Sequence, residues 1–151
     1  MSPNGKPFLL NPELPEGPTR FPQARIAPTS QHQTIYISGT ACCRPDGTWE
    51  GVVENSDGTH TLDIRKQTAA VLTNIDDIIK GASAGKGGIH NVIDAVVYIL
   101  DIKTQYAGMN EEWNKVFADR ASAPARATIG VRELPDPRMI VEVKAVAVIE
   151  T

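Results

Sequence analysis

Cysteine, histidine and clustered basic residues are scarce in this sequence. Its two cysteines, Cys42 and Cys43, are adjacent, so a bond between them would be strained, and there is no third thiol to pair with either. The three histidines are scattered, with no spacing typical of a zinc site. Lysine and arginine form no cluster and the net charge is −3, which argues against a broad nucleic-acid surface. We therefore expect neither a metal site nor a nucleic-acid partner.

Long hydrophobic runs are also missing. The longest, Val92 to Leu100, is too short to span a membrane and contains Asp94. The first residues show neither a basic stretch followed by an apolar one nor a cleavage signature. We therefore expect a cytoplasmic protein that makes no membrane contact.

The length and composition of the chain suit one globular domain that follows a distinct N-terminal segment. The chain of 151 residues is long enough to bury a core, and its 41% hydrophobic and 22% charged residues are ordinary for a soluble domain. Residues 1–20 hold five of the eleven prolines, a density that disfavours helix. We expect an extended arm over 1–20, either packed over a neighbour or disordered, and a single domain over 21–151.

Apolar periodicity predicts an alternating order of strands and helices. The predicted elements are a segment from Phe21 to Ile26, a strand over Thr34–Ser38, a short strand around Trp49–Val53, a helix capped at Thr61 and stopped after Ala82, a strand over Val92–Leu100, a helix from about Thr104 to Arg120, and two strands within Pro124–Ile149. One mixed, six-stranded sheet with both helices on one face accounts for this α+β order. The strands are apolar on their other face too, so we expect copies of the chain to cover it in a closed oligomer.

The stretch from Pro124 to Ile149 carries the strongest functional signal. Its second half reads as an interior strand, apolar on both faces and broken only by Glu142 and Lys144. A carboxylate in such a strand is rarely left without a partner. Arg126 lies on the preceding strand-like segment, and adjacent strands joined by a Pro-rich turn place their ends side by side. We expect Arg126 and Glu142 to pair, either as an ion pair that fixes strand register or as part of a site.

Several short motifs together resemble the RidA family, also called the YjgF family, of small imine and enamine deaminases. These motifs are Ile37-Ser38-Gly39-Thr40 at a strand end, the stretch Gln67 to Ile75, the stretch Tyr106 to Trp113, and Pro124-Ala125-Arg126 followed by Ile140 to Ala147. The resemblance covers Phe21 to Ile149. Within the family, the stretches from Cys43 to Thr48 and from Thr61 to Ile64 look most like the 2-aminomuconate deaminase branch.

The resemblance implies a chorismate-mutase-like fold and a homotrimer with clefts between its subunits. It implies that Arg126 binds the carboxylate of a small-molecule substrate, that Glu142 holds or activates water, and that Thr128 lines the site. The other residues that it places in the substrate-binding cleft are Phe21, Ser38, Gly39, Arg44, Asn110 and Trp113. Many members carry Tyr where this chain has Phe21 and Cys where it has Thr128, so a hydroxyl contact and a thiol role are lost.

The Arg and Glu pair suits the hydrolysis of a 2-imino or 2-enamino acid. A guanidinium holds the carboxylate through two parallel hydrogen bonds and so fixes the adjacent C=N carbon. A carboxylate can take a proton from attacking water and return one to departing ammonia. Positioning and one general base are enough for a reaction that is already feasible in water, so we expect no cofactor.

Three functions stay open on the sequence alone. The first is hydrolysis of 2-aminomuconate to 4-oxalocrotonate and ammonia, and the second is deamination of a broad range of 2-imino acids. The third is a non-catalytic, ligand-binding or chaperone-like trimer that uses the same clefts. A second substrate carboxylate would need a second cation, for which Arg25, Arg44 and Arg132 are the candidates.

Overall fold

The computed structural model describes residues 2–18 and 20–151, so Met1 and Thr19 of the predicted arm lie outside the described residues. The described part contains two α-helices and eight strands. These are β1 (Lys6–Phe8), β2 (Ala24–Ile26), β3 (His32–Thr40), β4 (Val52–Glu54), β5 (His60–Leu62), α1 (Ile64–Ala82), β6 (Val92–Leu100), α2 (Ile102–Val116), β7 (Ala125–Val131) and β8 (Val141–Glu150).

The main sheet has four strands in the order β3-β8-β6-β7. Strands β6 and β7 run parallel, as a crossover through α2 requires, and the other two pairings are antiparallel. The predicted mixed sheet with two helices is therefore confirmed. The single six-stranded sheet is wrong, because β1 pairs with β2 and β4 pairs with β5 in separate two-stranded sheets.

The helix ends differ from the predicted ones by a few residues. The first helix is capped by Asp63, whose side chain accepts the backbone N–H groups of Arg65 and Lys66, whereas Thr61 lies in β5. The second helix ends at Val116 rather than near Arg120, and Phe117 follows it in a non-helical conformation. Phe117 is fully buried against Trp113, so this apolar residue ends the helix by packing into the core.

The core lies between one face of the main sheet and the two helices. Alternate residues of β6 and β8 point into it, including Val97, Val141 and Val143. The opposite face, which we call the open face, carries Tyr36 and Ile129 at 77% and 45% exposure. Neither helix in the described part of the chain has the length and apolar character that crossing a membrane would require.

The described part of the N-terminal arm packs on its own chain, which neither alternative from the sequence anticipated. Arg25 on β2 donates hydrogen bonds to four backbone carbonyls, two in the arm and two in the loop before β7. Asn4 is fully buried and donates to the carbonyls of Val92 and Ser122. These contacts hold the arm beside the start of β7.

Candidate carboxylate-binding site

Arg126 is the centre of the candidate site. It lies on β7 opposite Ala95, on the face of the sheet that α2 covers, and it is 8% exposed. Its Nη2 donates to the Tyr106 hydroxyl at 3.0 Å and to Asn110 Oδ1 at 2.9 Å. Its Cζ atom lies 5.0 Å from the ring centroids of both Phe21 and Trp113. We call Arg126 and these four neighbours the arginine site.

The electrostatics of the arginine site favour an anionic ligand. Within the described residues Arg126 forms no ion pair, and its buried Nε and Nη1 have no acceptor. Burial lowers the pKa of Arg126, and the contact with Tyr106 opposes that shift, but a guanidinium stays charged in proteins. Trp113 Nε1 and Thr128 Oγ1 are also buried without partners in this part of the structure. The surplus of donors suits a carboxylate, which only accepts hydrogen bonds.

Asn110 is oriented by the N-terminal arm. Its Nδ2 donates to the carbonyl of Pro18 at 3.1 Å, and Asn114 donates to the same carbonyl at 3.1 Å. Because a carbonyl only accepts, the NH₂ end of the Asn110 amide faces Pro18 and the oxygen faces Arg126. The side chain of Asn110 therefore bonds both the N-terminal arm, at Pro18, and Arg126.

The predicted pairing of Arg126 with Glu142 within one chain is wrong. Strands β7 and β8 are not adjacent, because β6 lies between them. Arg126 is in register with Ala95 and Ala145, three residues along β8 from Glu142. Successive side chains alternate between faces, so Ala145 faces the helices and Glu142 faces the open side. The two residues are separated by a strand and by the thickness of the sheet.

Ser38, Gly39 and Arg44 gather at a second place, beside β3. They line a cleft of about 660 Å³, which we call the β3 cleft. Gly39 lies against Glu142, since a Cβ atom at position 39 would overlap Glu142 Oε1. Strands β3 and β7 are at opposite edges of the sheet, about 14 Å apart at the usual strand spacing. The predicted site residues therefore form two groups within one chain.

The three candidates for a second carboxylate contact differ in their surroundings. Arg25 is committed to four backbone carbonyls. Arg132 is exposed at the end of the β7 segment. Arg44 lines the β3 cleft, with Nη1 bonded to Asn74 Oδ1 at 2.5 Å and Nη2 at 3.1 Å from Asp77 Oδ2. Only Arg44 of the three shares a cleft with Ser38 and Gly39.

Two contributors to the arginine site were missed from the sequence. Tyr106 lies four residues before Asn110 in α2, and this spacing puts both side chains on one helical face. That spacing was a usable signal. Pro18 contributes only its carbonyl, which side-chain patterns do not reveal. Within the described residues, no group of three or more His, Cys, Asp and Glu side chains is arranged to hold a metal ion.

The fold is that of a small α+β protein, and the arginine site places a buried cation without an ion-pair partner within the described residues. The model of the Endoribonuclease L-PSP family matches residues 20–149. The chain belongs to this family, which includes proteins of the RutC and Rid type.

Individual proteins and solved structures are similar to this chain. A RutC family protein of Aquifex aeolicus is 34% identical over 84 residues, which cover 56% of this chain and 63% of that protein. The match thus spans less than two thirds of that relative. A conserved Rid family protein of unknown function from Yersinia pestis has the same fold, with a TM-score of 0.72 at 22% identity over 93% of this chain and 96% of that one. An uncharacterized protein from Pseudomonas aeruginosa has a TM-score of 0.58 at 30% identity, over 78% of this chain and 84% of that one.

Proposed function

We propose that the protein is a hydrolytic deaminase of 2-imino or 2-enamino acids, with the arginine site binding the substrate carboxylate. The observation that carries the proposal is the buried Arg126, which has no carboxylate partner within the described residues and keeps two nitrogens without acceptors. A buried charge is costly unless something pairs with it. A substrate carboxylate is a partner of the right charge and shape.

The reaction needs a proton acceptor near the C=N carbon, and we assign that role to Glu142 of a neighbouring copy. Glu142 and Arg126 of one chain lie on opposite faces of the sheet, so one chain does not bring them together. The open face carries exposed Tyr36 on β3 and Ile129 on β7, which a second copy would cover. In a closed trimer, the β3 cleft and Glu142 of one subunit would face the arginine site of the next.

In this arrangement, Arg126 fixes the carboxylate and so the adjacent C=N carbon. The substrate reacts as the protonated imine, to which an enamine first tautomerises. Water adds to the C=N carbon as Glu142 takes one of its protons, which gives a carbinolamine. Glu142 then returns this proton to nitrogen, the C–N bond breaks, and the hydroxyl group gives up its remaining proton as the C=O bond forms, so that ammonia leaves as ammonium. The products are a 2-oxo acid and ammonia. The aromatic rings around Arg126 exclude water from the guanidinium and so strengthen its hold on the carboxylate.

For the substrate we propose 2-aminomuconate, with short 2-imino acids as the alternative. The volume of the β3 cleft, about 660 Å³, is large for a three-carbon acid. Arg44 in that cleft would contact the second carboxylate of the longer substrate. A short 2-imino acid would fill only the arginine site, so its turnover would not depend on Arg44.

Ammonia release tests the proposal. We expect wild-type protein to release ammonia from freshly generated 2-aminomuconate, and Arg126→Ala to lower kcat/KM by about a hundredfold or more because the substrate loses its anchor. Replacing Arg44 by Gln should affect 2-aminomuconate more than 2-iminopropanoate made in situ by an amino-acid oxidase. Equal effects on both substrates would favour the broad imine deaminase.

A binding protein would give a different result. Ammonia release would be absent with both substrates, and any biological effect of the protein would survive the Arg126→Ala change while the oligomer stayed intact. That outcome would overturn the proposed reaction.

A further inference from the structure

The N–H groups of Arg126 can be assigned one by one, and the assignment limits how a carboxylate binds. A guanidinium has one N–H on Nε and two on each terminal nitrogen. Nη2 donates to Tyr106 at 3.0 Å and to Asn110 at 2.9 Å, so both of its N–H groups are used. Nε and Nη1 have no acceptor within the described residues. All the open donors are therefore on Nε and Nη1.

A bidentate grip needs two parallel N–H groups on one edge of the guanidinium. One such edge pairs Nε with Nη2 and the other pairs Nη1 with Nη2, so both edges include Nη2. The open N–H groups of Nε and Nη1 do not form a parallel pair. A carboxylate therefore gains a bidentate grip on Arg126 only when Nη2 releases one of its two acceptors.

Asn110 is the acceptor that is harder to release. It is 7% exposed, and its amide is held at both ends, by Arg126 on the oxygen and by the carbonyl of Pro18 on the nitrogen. The Tyr106 hydroxyl has no hydrogen bond in the described part of the chain besides the one with Arg126, and its side chain is only partly buried. A side-chain rotation of Tyr106 would free one N–H of Nη2 and leave Asn110 in place.

We propose that Tyr106 is a specificity-determining residue whose hydroxyl occupies, in the empty site, the Nη2 N–H that the substrate carboxylate takes. The hydroxyl turns away when a carboxylate binds. A carboxylate that takes this N–H must break the contact with Tyr106, whereas a neutral analogue that accepts only from Nε or Nη1 leaves it in place, so Tyr106 lowers the affinity for carboxylates alone. This inference rests on the carboxylate-binding part of the proposed function and not on the deamination step.

Direct binding of a probe tests the role of Tyr106 without any turnover. The probe is pyruvate, a small 2-oxo acid, and its matched neutral control is pyruvamide. We expect Tyr106→Phe to bind pyruvate about tenfold more tightly in calorimetry, because no hydrogen bond to the charged Arg126 has to be broken. Binding of pyruvamide should be the same for both proteins. Phe21→Leu, which loosens the same aromatic surroundings without touching a hydroxyl, should not tighten pyruvate binding.

Tyrosine absorbance gives a second readout. Pyruvate should change the near-ultraviolet difference spectrum of the wild-type protein, and Tyr106→Phe should lack most of that change. Unchanged or weaker pyruvate binding by Tyr106→Phe would overturn the inference, as would a Phe21→Leu variant that tightens equally. Failure of both proteins to bind pyruvate would overturn it together with the carboxylate site. Tighter binding by Tyr106→Phe in a protein that releases no ammonia would refute only the proposed reaction.

Discussion

At the scale of single residues, the two adjacent cysteines have very different surroundings. Cys42 is fully buried and Cys43 is partly exposed, and both are free thiols. Burial is the largest of the effects that raise the pKa of Cys42 to about 11, so at pH 8 this thiol stays protonated. Only a thiolate reacts quickly with an alkylating reagent.

We therefore expect iodoacetamide at pH 8 to modify Cys42 about tenfold or more slowly than Cys43 in the folded protein. The comparison uses Cys43→Ser, which leaves only Cys42, and Cys42→Ser, which leaves only Cys43, with the mass of each intact protein followed over time. In denaturant the two variants should react at similar rates. Equal rates in the folded proteins would contradict the buried environment of Cys42.

The residues of the arginine site were predictable to different degrees. Phe21, Asn110 and Trp113 were predicted as site residues, and they gather around Arg126. The family resemblance carried that prediction, since the cation and the aromatic residues are far apart in sequence. The part played by Pro18 could not be predicted, because it depends on which backbone carbonyl the folded arm brings to Asn110.

At the scale of elements, β3 and β8 meet at a point where glycine leaves room for the side chain of Glu142. The register between these strands shifts between Ile37 and Thr40, and Gly39 lies in that irregular stretch against the carboxylate of Glu142. An added methyl group would overlap Glu142 Oε1, so the side chain of Glu142 must turn aside. The backbone at Gly39 can accept alanine, because φ there is not positive.

We expect Gly39→Ala to lower kcat/KM for imine hydrolysis by about a hundredfold, because a small misplacement of the general base is enough to slow the reaction strongly. The midpoint of thermal unfolding should change little, since only the flexible end of the Glu142 side chain has to move. The control is Gly81→Ala in α1, where an added Cβ meets nothing within 4 Å. A Gly39→Ala protein with full activity would remove Glu142 from the reaction.

The positions of helices and strands along the chain could be predicted better than which strands lie side by side. The strand over Val92–Leu100 was predicted with its observed ends, and both helices were placed to within a few residues. The order of the strands in the sheet could not be predicted, because an apolar strand such as β6 accepts partners on both edges. The crossover through α2 puts β7 on one edge and leaves the other edge to β8. The prediction that Arg126 and Glu142 lie side by side is wrong for this reason.

At the scale of the whole molecule, one chain carries two incomplete halves of the proposed site. The arginine site supplies the anchor for the carboxylate, and the β3 cleft with Glu142 supplies the proton acceptor on the other side of the sheet. The exposed apolar side chains of Tyr36 and Ile129 lie on the open face, the same face of the sheet as Glu142. Closing the open face against copies of the chain would both bury these residues and bring two different halves together.

Mixing two inactive variants tests this arrangement. Arg126→Ala keeps Glu142, and Glu142→Ala keeps Arg126, so each protein alone should be inactive in ammonia release. In a trimer assembled from equal amounts of both, the mixed species contain one junction where an intact Arg126 faces an intact Glu142. Random assembly should therefore restore about one quarter of the wild-type activity after joint unfolding and refolding. If both residues served the same chain's site, mixing would restore none, and a protein that sediments as a monomer would rule out the shared site before any activity was measured.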